Sequence, residues 1–338
     1  MKLNIRDVER IVLLGGGKLL VALVRWCRSD GVPIFVVTSP RHSEELVEHN
    51  TSLKDFLINE KIPFLVTEDI ESSEVEYFLG DLSDAFCLSI GAAWVFKEKI
   101  ISLLFKDRLF NYHGTRLPQN RGGGGYSWQI LMGNRLGFCQ IHLIDGGIDT
   151  GEIVRTEEFL IPPSCRKPID YFNLHFEKNI NFILDFIKEI RTSGISIETK
   201  KQSEYFSTYW PRLNTVKNAW VDWSDSVEHI ERFICAFDDP YEGAKTFLND
   251  KKVFLKNVSV DYSDPQSHPY QAGIIYRKND NWLSICANGG TLIAEDFFDE
   301  KGDSLLKNVR LGDRLYSPKE MLDERLRRVF YTAKGLKE

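Results

Sequence analysis

The sequence predicts an α/β protein with a Rossmann-like parallel sheet, flanked by helices, followed by a smaller β-rich domain. Short apolar runs alternate with helical patterns through the first 110 residues, which is typical of parallel strands joined by helices. A long amphipathic stretch follows over residues 168–192. After about residue 205 the pattern changes to short strand-like runs separated by turn residues, as in a small barrel of the OB type.

The strands predicted for the first domain are its apolar runs, and helices are predicted for the amphipathic segments between them. The predicted parallel strands cover residues 10–15, 32–38, 62–67, 84–90 and 109–113, with further strands at 138–144 and 153–161. Helices are predicted over residues 18–30, 43–57 and 168–192, the last from an apolar stripe of helical period that Ser193 and Gly194 end. In such a sheet, ligands bind outside the carboxyl ends of the strands.

The second domain is predicted to contain one helix and several short strands. The helix covers residues 226–237, and the strands cover residues 253–260, 273–276, 282–286 and 291–297. We therefore divide the chain into a first domain, residues 1–204, and a second domain with its linker, residues 205–338.

Composition and charge exclude several classes of protein. The chain is 43% hydrophobic and 27% charged, as expected of a globular protein, and its formal net charge of −6 argues against a nucleic-acid partner. Glycines interrupt the apolar run near the N-terminus and no cleavage site follows, so no signal peptide is predicted. No segment reaches the roughly 18 apolar residues of a membrane span. A cytoplasmic location is expected.

Two common ligand motifs are incomplete. Gly15 and Gly17 follow a predicted strand and open a helix, but Leu20 stands where the dinucleotide fingerprint requires its third glycine, so no dinucleotide cofactor is inferred. The six cysteines form no C-x-x-C pair, and no cluster of ligands at metal-binding spacing is present. No metal is expected.

The segment from residue 111 to residue 151 carries the candidate chemistry. Asn111 and His113 leave the end of a predicted strand, where a parallel sheet opens to ligands. An asparagine amide can polarise a carbonyl, and a histidine can act as a base or an acid near neutral pH. Asp149, on a glycine-rich loop, can orient and charge that histidine, as a third group does in other acyl-transfer sites. These three residues are the predicted catalytic centre.

This segment resembles the folate-dependent formyltransferases, whose core reads N-x-H-x-S-x-L-P-x-x-R-G and then D-x-G-x-D-T-G. Here the first motif is NYHGTRLPQNRG at residues 111–122, and the second is DGGIDTG at residues 145–151. Members with a C-terminal barrel, such as those similar to methionyl-tRNA formyltransferase, add linker motifs. These are matched here by YWPR at 209–212, VDW at 221–223 and AFDDPYEGA at 236–244.

The departures from the family pattern lie on the acceptor side of the motif. Thr115 replaces the usual serine and keeps its hydroxyl, whereas Arg116 stands where the initiator-tRNA enzymes carry an apolar residue. Gly123, Gly124 and Gly125 replace their A-A-P. The differences therefore concern the acceptor rather than the chemistry.

The resemblance implies a one-carbon transferase that takes its formyl group from 10-formyltetrahydrofolate. Asn111 and His113 would stabilise the tetrahedral oxyanion, and either His113 or Asp149 would accept the proton lost by the amine. The loop over residues 88–96 corresponds to the family's folate pocket, or alternatively caps a helix with a buried tryptophan. The residues predicted to contact the folate are Ile90, Gly91, Trp94, Phe96, Asp145, Gly147 and Asp149.

Two acceptors are known within the family: the amine of initiator methionyl-tRNA, and that of a UDP- or dTDP-linked amino-deoxy sugar for lipopolysaccharide or other surface polysaccharide. The chain is most like the nucleotide-sugar N-formyltransferases in its aromatic-plus-arginine linker, and a non-catalytic binding protein on the same scaffold is the remote alternative. Packing between domains is the alternative role for Trp210, as the core of the following helix is for Tyr126 and Trp128. Edge strands and surface aromatics are compatible with a homodimer. The residues predicted to bind the acceptor are Arg116, Arg121, Tyr126, Trp128, Trp210 and Arg212.

Overall fold

A computed structural model describes residues 2–264 and 267–337 of the chain. The strands of the first half are β1 (Lys2–Ile5), β2 (Arg10–Gly15), β3 (Ile34–Thr38), β4 (Leu46–Glu48), β5 (Thr51–Ser52), β6 (Phe64–Val66), β7 (Ala85–Ile90), β8 (Leu109–His113), β9 (Arg121–Gly122), β10 (Leu136–Leu143), β11 (Ile153–Leu160) and β12 (Ile195–Glu198). Its helices are α1 (Gly17–Ser29), α2 (Pro40–Ser43), α3 (Leu53–Asn59), α4 (Ser73–Leu79), α5 (Glu98–Leu103), α6 (Gly125–Leu131) and α7 (Pro168–Thr192).

Within the described residues, seven strands form the central sheet of the first domain, in the order β11-β10-β8-β7-β2-β3-β6. Strands β8, β7, β2, β3 and β6 are parallel, which confirms the predicted parallel core. Strands β10 and β11 extend the sheet antiparallel, so the sheet is mixed. The chain leaves β8 at its carboxyl end and enters β10 at that same end, which forces β10 to run back.

Helices cover both faces of this sheet, as predicted. Apolar residues of α1, α3 and α7 form one core with the strands, and residues of α4 and α5 form another on the opposite face. Phe186 of α7 lies edge-on to Phe86, with ring centroids 5.6 Å apart. The bounds predicted for α7 from its apolar stripe are confirmed. This helix forms one wall of a large cavity at the end of β8, because Asn173, Phe176 and Asn179 project from it into that cavity.

The predicted helix over residues 43–57 is wrong. The segment instead contains the end of α2, the short hairpin β4–β5 and the beginning of α3. Asn50 adopts a left-handed φ of 52° in the turn. The Ser52 hydroxyl then caps α3 by accepting the Asp55 N–H at 3.1 Å. A turn followed by a new cap therefore overrides the helical propensity of the glutamates.

The second half forms an antiparallel sheet with a helix packed on it. Its strands are β13 (Tyr209–Trp210), β14 (Ala244–Leu248), β15 (Lys251–Asp261), β16 (Ile275–Lys278), β17 (Leu283–Ala287), β18 (Gly290–Phe298), β19 (Leu315–Tyr316), β20 (Tyr331–Thr332) and β21 (Gly335–Leu336). Its helices are α8 (Thr215–Asn218), α9 (Val227–Ala236) and α10 (Lys319–Arg325). Among the described residues, six strands form a half-barrel in the order β16-β17-β18-β15-β14-β19.

The linker between the halves is part of the first domain's surface. Strand β13 pairs in parallel with β9, so that Trp210 lies opposite Gly122. The chain beyond α10 returns to the first domain, where the N–H of Arg41 donates to the Ala333 carbonyl at 3.2 Å. No helix within residues 2–264 and 267–337 is long and apolar enough to cross a membrane.

Candidate active site

The three predicted catalytic residues converge at the carboxyl end of the parallel strands. Asn111 and His113 lie two positions apart on β8, so both side chains project from one face, while Tyr112 between them points to the other. Asp149 lies on the loop between β10 and β11, in a left-handed conformation with φ of 55°. This loop crosses the end of β8 and brings the carboxylate to the two strand residues.

The Asp149 carboxylate contacts both partners with one oxygen and the backbone with the other. Its Oδ1 lies 3.4 Å from Nδ2 of Asn111 and 3.7 Å from Nδ1 of His113. Its Oδ2 accepts the N–H of Gly122 at 2.9 Å. Burial alone would raise the pKa of Asp149, but His113, His142 and the Gly122 N–H together hold that pKa well below its ordinary value. Asp149 therefore remains a carboxylate.

The surroundings of His113 define its neutral tautomer. Nε2 lies 2.7 Å from the carbonyl oxygen of Asn120, which can only accept, so Nε2 carries the proton. The hydroxyl of Thr115 lies 2.8 Å from the same nitrogen. Nδ1 is then free of a proton and faces Asp149. Burial lowers the pKa of His113, and Asp149 offsets this only in part, so the ring is a neutral base near neutral pH.

His142 joins this centre, although no sequence motif indicates it. It lies on β10 directly opposite Asn111. Its Nδ1 donates to the carbonyl of Leu143 at 2.7 Å, which leaves Nε2 to accept from Nδ2 of Asn111 at 3.1 Å. Nε2 also lies 3.5 Å from Asp149 Oδ1. His142 therefore fixes which end of the Asn111 amide is its donor.

A second unpredicted residue, Gln202, holds the Asp149 loop in place. Its Nε2 donates to the carbonyls of Asp149 and Gly151, at 2.9 and 2.7 Å. Its Oε1 accepts from Nε of Arg121 at 3.1 Å. The rest of the Arg121 guanidinium makes a two-pronged ion pair with Glu204, at 2.8 and 3.0 Å. Arg121, predicted to bind the acceptor, thus lies buried beneath the loop and away from the cavity wall.

A cavity of about 1150 Å³ opens beside this centre, between the first domain, the linker and the second domain. Among the predicted residues, His113, Ile90, Gly91, Tyr126 and Arg212 line its wall. Its size exceeds the roughly 300–1,000 Å³ of a pocket for one small ligand. The cavity is therefore large enough for a ligand bigger than an ordinary small molecule.

The other residues predicted to contact folate lie around the edge of the site. Trp94 is half-buried and donates from Nε1 to the Glu68 carbonyl at 3.1 Å. Phe96 is buried, with its ring centroid 6.3 Å from that of Phe105, and belongs to the core. Asp145 and Gly147 lie on the exposed Asp149 loop, where the N–H of Gly147 donates to Oδ1 of Asp145 at 3.2 Å. Phe96 can thus affect the shape of the loop over residues 88–96 only through its packing in the core.

The remaining residues predicted to bind the acceptor lie outside the cavity wall. The rings of Trp128 and Trp210 pack at a tilt of 36° with centroids 5.0 Å apart, and Nε1 of Trp128 donates to the Pro211 carbonyl at 2.8 Å. Arg116 is exposed and lies over the ring of Phe138, 5.7 Å from its centroid. The tryptophans thus join the catalytic loop to the linker, which was the alternative role named for Trp210.

The glycines at positions 122–125 explain how the linker can lie so close to the loop that follows β8. Gly122 has a φ of +94°, and a Cβ there would lie 2.2 Å from the Trp210 carbonyl oxygen. A Cβ at Gly123 would meet Cβ of Arg212 at 3.0 Å. These glycines therefore admit the linker backbone first, and so bring Arg212 to the cavity.

Within the part of the chain that the structure describes, no group of three or more His, Cys, Asp and Glu side chains is arranged to hold a metal ion.

Comparison with known proteins gives matches to both halves. The family model for "Formyl transferase, C-terminal domain" matches residues 214–305. The methionyl-tRNA formyltransferase of Rickettsia bellii is 24% identical over 294 residues, covering 86% of this chain and 92% of that protein.

Solved structures with the same architecture include two sugar enzymes. The sugar 3N-formyl transferase WlaRD, solved with dTDP and 5-N-formyl-THF, aligns with a TM-score of 0.65 at 19% identity, covering 86% of this chain and 98% of its own. The N-formyltransferase of Helicobacter canadensis, solved with folinic acid and dTDP-3-aminofucose, aligns with a TM-score of 0.64 at 18% identity, covering 85% of this chain and 99% of its own. At these identities the structural likeness establishes the fold.

Proposed function

We propose that this chain, which belongs to the formyl transferase family, transfers a formyl group from 10-formyltetrahydrofolate to the amine of a UDP- or dTDP-linked amino-deoxy sugar. The chain is an enzyme of that folate-binding family. The observation that supports the sugar acceptor is the single cavity that has His113 on one wall and Arg212 on another. It offers a base for the amine and a cation for the distant phosphates.

His113 is the base in this proposal. In this proposal Nδ1, which carries no proton in the tautomer that the Asn120 contact favours, takes the proton that the amine loses as its nitrogen bonds to the formyl carbon. Asp149, already a carboxylate, stabilises the imidazolium that results. The same proton can then pass to the leaving nitrogen of the carrier as its bond to the formyl carbon breaks, which returns His113 to its neutral state.

Asn111 stabilises the oxyanion of the tetrahedral intermediate. Its two Nδ2 hydrogens point to His142 at 3.1 Å and to Asp149 at 3.4 Å. The contact with Asp149 is the longer and weaker of the two, so the formyl oxygen would take that hydrogen while His142 keeps the amide in place. When bound, the folate supplies the electrophilic formyl carbon.

The folate site is proposed between the loop after β7 and the Asp149 loop. Ile90 and Gly91 line the cavity next to His113, and Gly91 has a φ of 59° that turns the chain away and leaves the space in front of it open. Trp94 and Phe96 support this loop, and Asp145 and Gly147 form the facing rim. An apolar wall with backbone donors and acceptors suits a flat pterin.

Tyr126 and Arg212 form the acceptor side. The Tyr126 hydroxyl lies against Gly114, within 3.0 Å of where a Cβ would be, next to the catalytic strand. Arg212 is exposed to the cavity from the linker. A formylated nucleotide sugar of this kind would serve surface polysaccharide synthesis.

The similarity in sequence to methionyl-tRNA formyltransferase favours a second candidate acceptor, the charged initiator tRNA. The net charge of −6 disfavours it, since phosphate contacts from basic residues dominate tRNA affinity.

The test is a panel assay with purified full-length protein and 10-formyltetrahydrofolate. UDP- and dTDP-linked amino sugars are offered in parallel with charged initiator tRNA, and products are identified by mass spectrometry. We expect one or more sugars to gain a formyl group. Formylation of the tRNA with steep salt dependence, and of no sugar, would overturn the proposal.

A further inference from the structure

The C-terminal hairpin, residues 331–336, reaches across the linker into the cavity. Its first residue, Tyr331, lines the cavity wall, and the Tyr331 hydroxyl accepts from Nδ2 of Asn214 at 2.9 Å. Lys334 makes an ion pair with Glu68 at 2.9 Å, which ties the hairpin to the first domain. The hairpin thus contributes a side chain to a site built mainly by distant parts of the chain.

Two arginines lie over the Tyr331 ring. The guanidinium carbon of Arg212 is 4.8 Å from the ring centroid, and that of Arg41 is 5.9 Å from it. Arg212 comes from the linker and Arg41 from the beginning of α2, so three separate segments meet at one aromatic ring. The ring face holds both cations, of which Arg212 lines the cavity and Arg41 lies behind it.

The positive charge of this arrangement is poorly compensated. Glu45 lies 4.0 Å from Nε of Arg41, and Arg212 has no ion pair among the described residues. Arg41 also donates to Nε2 of His42 at 2.6 Å, and burial together with Arg41 and Arg212 lowers the pKa of His42 to about 4, so that this histidine stays neutral. Burial and the nearby Arg212 likewise lower the pKa of Arg41. Two like charges held together with one distant carboxylate favour a bound anion.

The N-terminus of α1 faces the same cavity. Gly16, Gly17 and Lys18 line it, and no side chain in the described part of the chain caps the helix at Gly16. Its free N–H groups and the Lys18 ammonium add to the positive potential that the arginines create. Glu242 also lines the cavity but makes no ion pair with Arg212 within residues 2–264 and 267–337.

We propose that the cleft where Arg41, Arg212 and Tyr331 meet binds the diphosphate of the acceptor, and that the C-terminal hairpin is a working part of the acceptor site. This inference rests on the proposed function. Guanidinium groups bind phosphate oxygens in a two-pronged manner, and a pair of them matches two linked phosphates better than one. The glutamate carboxylates of a folate offer a related anionic chemistry, which the experiment separates.

The experiment measures binding of inorganic pyrophosphate to the full chain by calorimetry at fixed ionic strength, with inorganic phosphate for comparison. We expect pyrophosphate to bind more tightly than phosphate. Arg41→Ala and Arg212→Ala should each weaken it about 10- to 100-fold. Tyr331→Ala should weaken it roughly threefold to thirtyfold, and Tyr331→Phe, which keeps the ring, should weaken it less.

A matched control exists in the second domain, where Arg314 lies 4.9 Å from the ring centroid of Tyr270 in a similar arrangement outside the cavity. Arg314→Ala should leave pyrophosphate binding unchanged. If Arg41→Ala does not fold, Arg41→Lys keeps the charge and should bind with only a modest loss. Equal binding by wild type and by the folded Arg41, Arg212 and Tyr331 variants would overturn the inference. Competitive displacement of pyrophosphate by 5-formyltetrahydrofolate would also overturn it, since the cleft would then hold the folate glutamate.

This measurement needs neither donor nor sugar, so its failure is distinct from failure of the proposed function. Arginine-dependent pyrophosphate binding without turnover of any nucleotide sugar would support the diphosphate site and contradict the proposed function. Turnover of a nucleotide sugar, together with pyrophosphate binding that is unchanged in the arginine variants, would contradict the diphosphate site and support the proposed function.

Discussion

The backbone N–H of Gly122 donates to Oδ2 of Asp149 at 2.9 Å, which joins the glycine run to the proposed catalytic carboxylate. Gly122 is also the residue that pairs with Trp210 of the linker. The bond that orients Asp149 therefore depends on the chain segment that carries Arg212. The proposed catalytic centre and the proposed acceptor site therefore share one stretch of backbone.

Asp149→Asn tests the charge at this centre. The amide keeps the shape and can still accept from Gly122, but it cannot stabilise an imidazolium on His113. We expect kcat to fall by roughly 10²–10⁴ with little change in melting temperature. Asp296→Asn, an exposed aspartate on β18, is the matched control. Steady-state kinetics that show near-wild-type turnover would remove Asp149 from the mechanism.

The pH dependence of kcat/KM tests His113 as the base. The free enzyme is active when the ring is neutral, so activity falls as the pH drops through the pKa of His113. Burial lowers that pKa, so the acid limb should lie below the ordinary histidine value of about 6.5. His113→Ala should abolish most turnover. An acid limb above that value, with the same limb retained in His113→Ala, would assign the titration to another group.

His142→Leu tests a positioning residue. Loss of the ring acceptor frees the Asn111 amide to flip, so its oxygen can face the formyl oxygen. We expect kcat to fall about 10- to 100-fold with KM for both substrates nearly unchanged. His142→Gln, whose side-chain oxygen can still accept from Nδ2, should recover part of kcat. Equal losses in both variants, or a change confined to KM, would indicate a packing role instead.

Arg121→Met tests whether Arg121 supports the Asp149 loop or binds the acceptor. Methionine fills much of the space but leaves Gln202 and Glu204 without their donor, so the Asp149 loop should loosen. We expect a lower kcat and a lower melting temperature, with KM for the nucleotide sugar unchanged. A raised KM at unchanged kcat would restore the predicted role of Arg121 as an acceptor ligand.

Because His175 is buried, we expect the protein to lose stability in mild acid. It is fully buried among Tyr126, Phe159 and Tyr171, and neither ring nitrogen has a hydrogen-bond partner within the described residues. Burial lowers its pKa to about 4, whereas the unfolded chain takes up the proton near pH 6.5. The unfolded state thus binds more protons between these values, and stability falls as the pH falls.

The magnitude is on the order of 3 kcal/mol across that window. Denaturant unfolding of His175→Phe, which keeps an aromatic ring and removes the titration, should show a flatter dependence on pH than the wild type. The same slope in both proteins would contradict this account.

Sequence patterns were sufficient for much of this molecule. The long helix α7 and the parallel strands follow from periodicity, because each buries one continuous apolar face. Asn111 and His113 follow from their place at a strand end and from the motif. His142 and Gln202 do not, because their positions depend on the antiparallel return of β10 and on the path of the linker. Such pairing leaves no local signal in either residue's neighbourhood.

The aromatic and arginine residues show a second limit of prediction from sequence. Their residue types indicated a ligand site, but the sequence did not indicate where each side chain points. Arg121 points under the Asp149 loop, where Gln202 and Glu204 bind it, and Arg212 points into the cavity, to which the glycine run brings the linker. Arg41 and Tyr331 carry no sequence signal, since one lies early in the chain and the other near its end.

The pairing of β13 with β9 limits how the two halves could be recombined with those of relatives. Residues 202–212 follow the first domain in sequence but complete its catalytic loop, through Gln202, Trp210 and Arg212. A chimaera joined at the sequence-based boundary between residues 204 and 205 would thus take its loop support from one parent and its linker from the other. Joining near residue 214, where the family match to the second half begins, keeps the linker with its own glycines. Exchange at that point would still replace Tyr331, so the donated half would bring its own version of one residue of the proposed acceptor site.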